Sequence, residues 1–106
     1  MIFYTPENMT TKALFPGCRA RLIHTERMTI SIVTLDAGAV LPEHAHEHEQ
    51  VSNVIKGEFE FTIGGHTQIL KPGEVAVIPS HVPHTGKALT DCCVIDVFSP
   101  VREDYR

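Results

Sequence analysis

The 106-residue sequence predicts a single all-β domain, a sandwich or a closed barrel. Three observations carry that prediction. After residue 18 the chain is punctuated at regular intervals by Gly38, Pro42, Gly57, Gly64-Gly65, Pro72-Gly73, Pro79, Pro83, Gly86 and Pro100. The runs between these marks are short and rich in β-branched and aromatic residues, which suit a pleated surface. No stretch of helical length shows a 3.6-residue apolar period. A chain this short holds one core. A small all-β domain must also close its sheet, or pair with a copy of itself, to hide its edges.

Residues 1–18 are expected to form an irregular arm ending at Pro16-Gly17, ahead of a barrel domain over 19–106. Residues 28–35 alternate, with Met28, Ile30 and Ile32 on one face. Residues 58–63 alternate more cleanly, with Phe59, Phe61 and Ile63 together. Gly64-Gly65 fits a two-residue type I′ turn, where both central residues need positive φ, and 66–70 is the return strand. Lys71-Pro72-Gly73-Glu74 reads as a tight turn. The apolar run Val75-Ala76-Val77-Ile78 reads as a strand buried on both faces. Residues 92–98 form the last strand. There Asp96 and Phe98 share one face, while Cys93, Ile95 and Val97 make an apolar face expected to be packed.

Composition removes several function classes. Nine Lys plus Arg against 13 Asp plus Glu give a formal charge of −4, and no basic block appears. Nucleic-acid binding is therefore not expected. No apolar run is long enough to span a membrane. The first residues have neither a basic nor an apolar signal region. Cys18, Cys92 and Cys93 are a poor disulfide framework, and they read as small buried hydrophobes. The cytoplasm is the expected compartment. The unusual count is histidine, with seven in the chain.

Five of those seven fall in two segments. In an extended run, His44, His46, His48 and Gln50 share a face, and Glu43, Glu47 and Glu49 face the other way. The second segment carries His81 and His84. Two imidazoles on one strand and a third from a neighbour suit a transition metal and leave positions open for a substrate. A polar loop with incidental histidines is the alternative for the first segment taken alone.

The pairing of the two segments resembles the two motifs of the cupin family. Gly38, His44, His46, Gln50 and Gly57 stand at the first motif's spacing, and Gly73, Pro79 and His84 at the second's. The resemblance covers roughly half the chain, residues 38–88. It implies a double-stranded β-helix, or jelly-roll β-barrel, with a metal in the mouth, often in a homodimer. The chain departs from the family pattern at Gln50, which replaces a usual Glu, and at His81 and Ala88, which replace Gly and Asn. Glu49 lies one position from the expected ligand and should face away unless a bulge rotates it. A neutral ligand set leaves a divalent ion its full charge, which favours an anionic ligand and lowers metal affinity.

The ending Asp96-Val97-Phe98-Ser99-Pro100-Val101-Arg102-Glu103-Asp104-Tyr105 carries a narrower resemblance. It is similar to the pectin-degradation cupins that convert 4,5-unsaturated uronate sugars, made by pectin or alginate lyases, to a linear keto form. That resemblance implies His44, His46, Gln50 and His84 as ligands of one divalent ion (Ni, Zn, Fe or Mn). It implies Asp96, Phe98 and Arg102 as the active-site trio, and it gives His48 and His81 no role. Arg102 would take the sugar carboxylate through its bidentate fork. The plainer readings pair Asp96 with a nearby cation and Arg102 with Glu103 or Asp104. Alternatives at the level of function are a metal-dependent dioxygenase or another cupin enzyme, a non-catalytic sugar- or effector-binding cupin, and a structural metal site.

Overall fold

Among the described residues, alternation and closely spaced turns build ten strands, all paired antiparallel. The computed structural model describes residues 2–106. The strands are β1 (Lys12–Phe15), β2 (Cys18–His24), β3 (Thr29–Leu35), β4 (Val40–His44), β5 (Glu49–Lys56), β6 (Phe59–Ile63), β7 (His66–Leu70), β8 (Val75–Ile78), β9 (His84–Ala88) and β10 (Cys92–Ser99). The only helical turns among the described residues are short 3-10 turns at Pro6–Asn8 and Glu103–Tyr105. One sheet has six strands in the order β1-β2-β3-β10-β5-β8, and the other has four in the order β4-β9-β6-β7. No helix among the described residues is long and apolar enough to cross a membrane.

The core fills the space between the sheets. Leu35, Val54, Phe59, Ile78 and Ala88 have at most 1% of their surface exposed. Phe59 and Phe61 pack edge to face with ring centroids 4.6 Å apart. Gly86, on β9, is required by that packing, because a Cβ there would strike the Phe59 ring. Gly64 and Gly65 have φ of 54° and 83° and join β6 to β7 as the turn chemistry predicts.

Four expectations change. Within the 1–18 arm, Lys12–Phe15 is a strand that pairs with β2, so that part is ordered by backbone hydrogen bonds. On β3 the inward residues are Thr29, Ser31, Val33 and Leu35, while Ile30 and Ile32 lie on the outer face. The apolar alternation there pointed to the wrong face, because the barrel interior near its mouth is polar. β8 is an edge strand with one buried face: Ala76 and Ile78 face in, whereas Val75 and Val77 are 51% and 59% exposed. Likewise Cys93, Ile95 and Val97 are only half-buried on the outer face of the six-stranded sheet.

Candidate metal centre and active site

The first histidine segment is not one continuous strand. β4 ends at His44, a loop covers 45–48, and β5 begins at Glu49. Two hydrogen bonds tie that loop to the second segment: the His81 N–H donates to the His46 carbonyl (2.7 Å), and the Ser80 hydroxyl to the Glu47 carbonyl (2.6 Å). His44 on β4 and His84 on β9 are cross-strand partners. His46 arrives from the loop, and the ligand atoms of His44, His46 and His84 lie within 4.8 Å of one another.

Backbone carbonyls fix the tautomer of each ring. His44 Nδ1–H donates to the Pro42 carbonyl (2.8 Å), His46 to His48 (2.9 Å) and His84 to Val82 (2.9 Å). A carbonyl only accepts, so each Nδ1 carries the hydrogen and each Nε2 presents a lone pair. His84 Nε2 is buried with no partner in the protein. His46 Nε2 lies 3.1 Å from Oε1 of Gln50, so two lone pairs face each other. Burial and the nearby Arg102 charge lower the His46 pKa, which favours the neutral ring. Burial pushes His84 down to about 4, which also keeps it neutral. A cation satisfies these atoms together, and the donor set of three imidazoles and one amide oxygen fits a divalent transition metal. Glu49 is exposed on β5, whereas Gln50 is 5% exposed and faces inward.

His48 turns away from the cluster. Its Nε2–H donates to the Val101 carbonyl at 3.2 Å, so it holds the C-terminal segment rather than sharing a face with His46. The break in the strand at 45–48 abolishes the simple alternation that placed them together. His81 is exposed at φ 65°, a left-handed conformation that explains why glycine suits this position.

Asp96, Phe98 and Arg102 line the same cavity as His44, His84 and Gln50. Asp96 sits on β10 between Ser31 of β3 and Ser52 of β5, its register partners. The Gln50 amide donates to Ser52 Oγ (2.9 Å), and the Ser52 hydroxyl donates to Asp96 Oδ1 (2.6 Å). Burial raises the Asp96 pKa to about 6, against the lowering effect of those hydrogen bonds and of Arg102.

Arg102 is 6% exposed, and its guanidinium lies 4.7 Å from the Phe98 ring centroid and 4.0 Å from that of Tyr105. The Nε and one terminal nitrogen donate to the two Asp104 oxygens at 2.9 and 2.7 Å. That edge of the fork is therefore spent internally. The other terminal nitrogen is buried without a partner, which leaves the far edge for an anion. The Arg102 backbone N–H donates to Thr29 Oγ1 at 2.9 Å, and the Thr29 hydroxyl shares a hydrogen bond of 2.8 Å with His24 Nδ1. Sequence reasoning missed Thr29, Ser31, Ser52 and Tyr105, and named Asp104 only as one of two charges that could pair with Arg102. The polar members of the β3 and β5 alternation were the available signal.

A family model described as "Cupin domain" matches residues 31–98. The chain belongs to the cupin family. Among solved structures it is similar to KdgF from Halomonas sp., at 36% identity and a TM-score of 0.93, covering 98% of this chain and 97% of that one. It is also similar to an RmlC-like cupin from Shewanella frigidimarina, at 31% identity and a TM-score of 0.95, covering 100% and 96%. An uncharacterized protein of Streptomyces coelicolor is 27% identical over 99 residues, covering 92% of this chain and 94% of the relative. The cupin fold of this chain therefore combines two antiparallel sheets with a three-histidine cluster at one end of the interior.

Proposed function

We propose that this cupin is a metal-dependent enzyme that opens 4,5-unsaturated uronate monosaccharides and converts them to their linear keto form. The observation that carries the reading is that Asp96, Phe98 and Arg102 share one cavity with His44, Gln50 and His84, and that His46 clusters with His44 and His84. The 36% identity to KdgF over nearly the whole chain supports it. In this reading His44, His46, Gln50 and His84 hold one divalent ion. That ion supplies Lewis-acid polarisation of the sugar oxygens and positive charge for an anionic ligand.

The chain's own groups do the rest. Arg102 receives the sugar carboxylate on its free edge, with Asp104 and the two flanking rings fixing the guanidinium. Asp96 takes the proton of the anomeric hydroxyl as the ring carbon–oxygen bond breaks. The enolate so released ketonises when Asp96 returns that proton to C4, so no proton is gained or lost overall. A carboxyl near pKa 6 suits both transfers at neutral pH. Phe98 walls the cavity between Arg102 and His46, whose ring centroid lies 5.8 Å from its own.

A homodimer in the cytoplasm is the form this reading carries. The surface available for pairing is the outer face of the six-stranded sheet, where Ile23, Ile30, Val97, Val51 and Val77 are aligned by register. The test of function is direct. Metal-loaded protein is given lyase-generated unsaturated uronate, and the loss of its ultraviolet absorbance is followed. No acceleration over the spontaneous rate ends the uronate reading. Oxygen uptake with Fe(II) in its place would support a dioxygenase.

A further inference from the structure

β3 turns Thr29 and Ser31 into the barrel, and neither has any exposed surface. The Thr29 hydroxyl is engaged, accepting from Arg102 N–H and sharing a hydrogen bond with His24. The Ser31 hydroxyl is not: Ser31 Oγ is buried, has no hydrogen-bond partner, and lines the cavity that holds His44, His84, Asp96 and Arg102. Native interiors leave few buried polar groups without a partner. Register sets Ser31 beside Asp96 on one flank, and Ser52 on the other. Ser52 gives its hydrogen to Asp96 and accepts from Gln50. Asp96 therefore stands between one serine that is engaged and one that is free.

We propose that Ser31 is a ligand-binding residue whose hydroxyl pairs with a non-reacting hydroxyl of the sugar. A serine hydroxyl both donates and accepts, as a sugar hydroxyl does, so the pair can form in either direction. An apolar ligand surface would leave Ser31 Oγ unpaired, and the ligand's carboxylate has its own receptor in Arg102. The identity of the sugar rests on the uronate reading above; the role of Ser31 rests on its orphaned oxygen.

Ser31→Ala tests this with two readouts. The first is thermal unfolding of the metal-free protein. The hydroxyl makes no bond within the chain, so the variant should unfold at or above the wild-type midpoint. A midpoint several degrees lower would overturn the proposal, because the hydroxyl would then be holding the fold. The second is kinetics of the metal-loaded protein on lyase-generated unsaturated uronate. kcat/KM should fall roughly tenfold, mostly through KM, as for loss of one hydrogen bond to substrate. An unchanged KM overturns the proposal. If the wild type does not consume the uronate, the functional reading falls, and Ser31 is judged by calorimetric affinity for saturated D-galacturonate. A weaker variant then supports the role of Ser31; equal affinity, or binding by neither protein, overturns it.

Discussion

Replacing Asp96 by Asn should stabilise the protein while it removes the activity. Burial lifts the Asp96 carboxyl from its usual 3.8 to about 6. The folded state therefore binds this proton more tightly than the unfolded chain does. Stability associated with Asp96 is intact below the unfolded pKa and is lost as pH rises through the folded one. At ~1.4 kcal/mol per unit, the full cost above pH 6 is at most ~3 kcal/mol. Asparagine has the same shape, keeps an oxygen for the Ser52 hydroxyl, and never ionises. The assay is urea denaturation of both metal-free proteins at pH 4 and pH 7.5. Near-equal stability at pH 4 and a more stable variant at pH 7.5 are expected, with loss of uronate turnover in the metal-loaded variant. A variant no more stable than wild type at pH 7.5 would refute the claim that burial sets this carboxyl.

Three further outcomes are expected. Gln50→Glu adds a negative charge to the ligand set, so equilibrium dialysis should show Ni²⁺ or Zn²⁺ bound at least ~10-fold more tightly, with a higher KM for an anionic substrate. Arg102→Lys loses the planar fork and the stacking on Phe98 and Tyr105, so kcat/KM should fall by roughly 100-fold in the absorbance assay, while thermal stability changes little by comparison. Gly86→Ala forces a methyl into the Phe59 ring and should cost ~1–3 kcal/mol in denaturant unfolding.

The parts of the fold legible in the sequence were those governed by local chemistry. The β6–β7 hairpin follows from the Phe59-Phe61-Ile63 alternation and the Gly64-Gly65 turn, and its return strand runs over His66–Leu70 as expected. The cluster of His44, His46 and His84 was legible as a spacing, because two motifs must converge for either to make sense. The inward face of β3 was not legible. Ile30 and Ile32 outvoted Thr29 and Ser31, since an apolar face is normally the buried one. Near a polar cavity that rule inverts, and the inversion hid three groups around Asp96 and Arg102: Thr29, Ser31 and, on β5, Ser52. The Asp104 partner of Arg102 was visible only as a neighbouring charge. Its bidentate contact depends on the chain turning at Glu103–Tyr105, which no pattern in the sequence specified.

His44 and His84 belong to the four-stranded sheet, whereas Gln50, Asp96 and Ser31 belong to the six-stranded one. His44 and His84 are thus mounted on the plate opposite Asp96, the proposed proton carrier, with the apolar filling between the plates as the spacer. The distance between His84 and Asp96 is then a measure of how tightly the two plates close. In the proposed reaction, a change of core volume far from the cavity would alter reactivity through that spacing, without touching a single ligand. An ion held, as proposed, by His44, His46, His84 and Gln50 would span both plates and act as a clasp, so that loading the site and tightening the barrel would be one event.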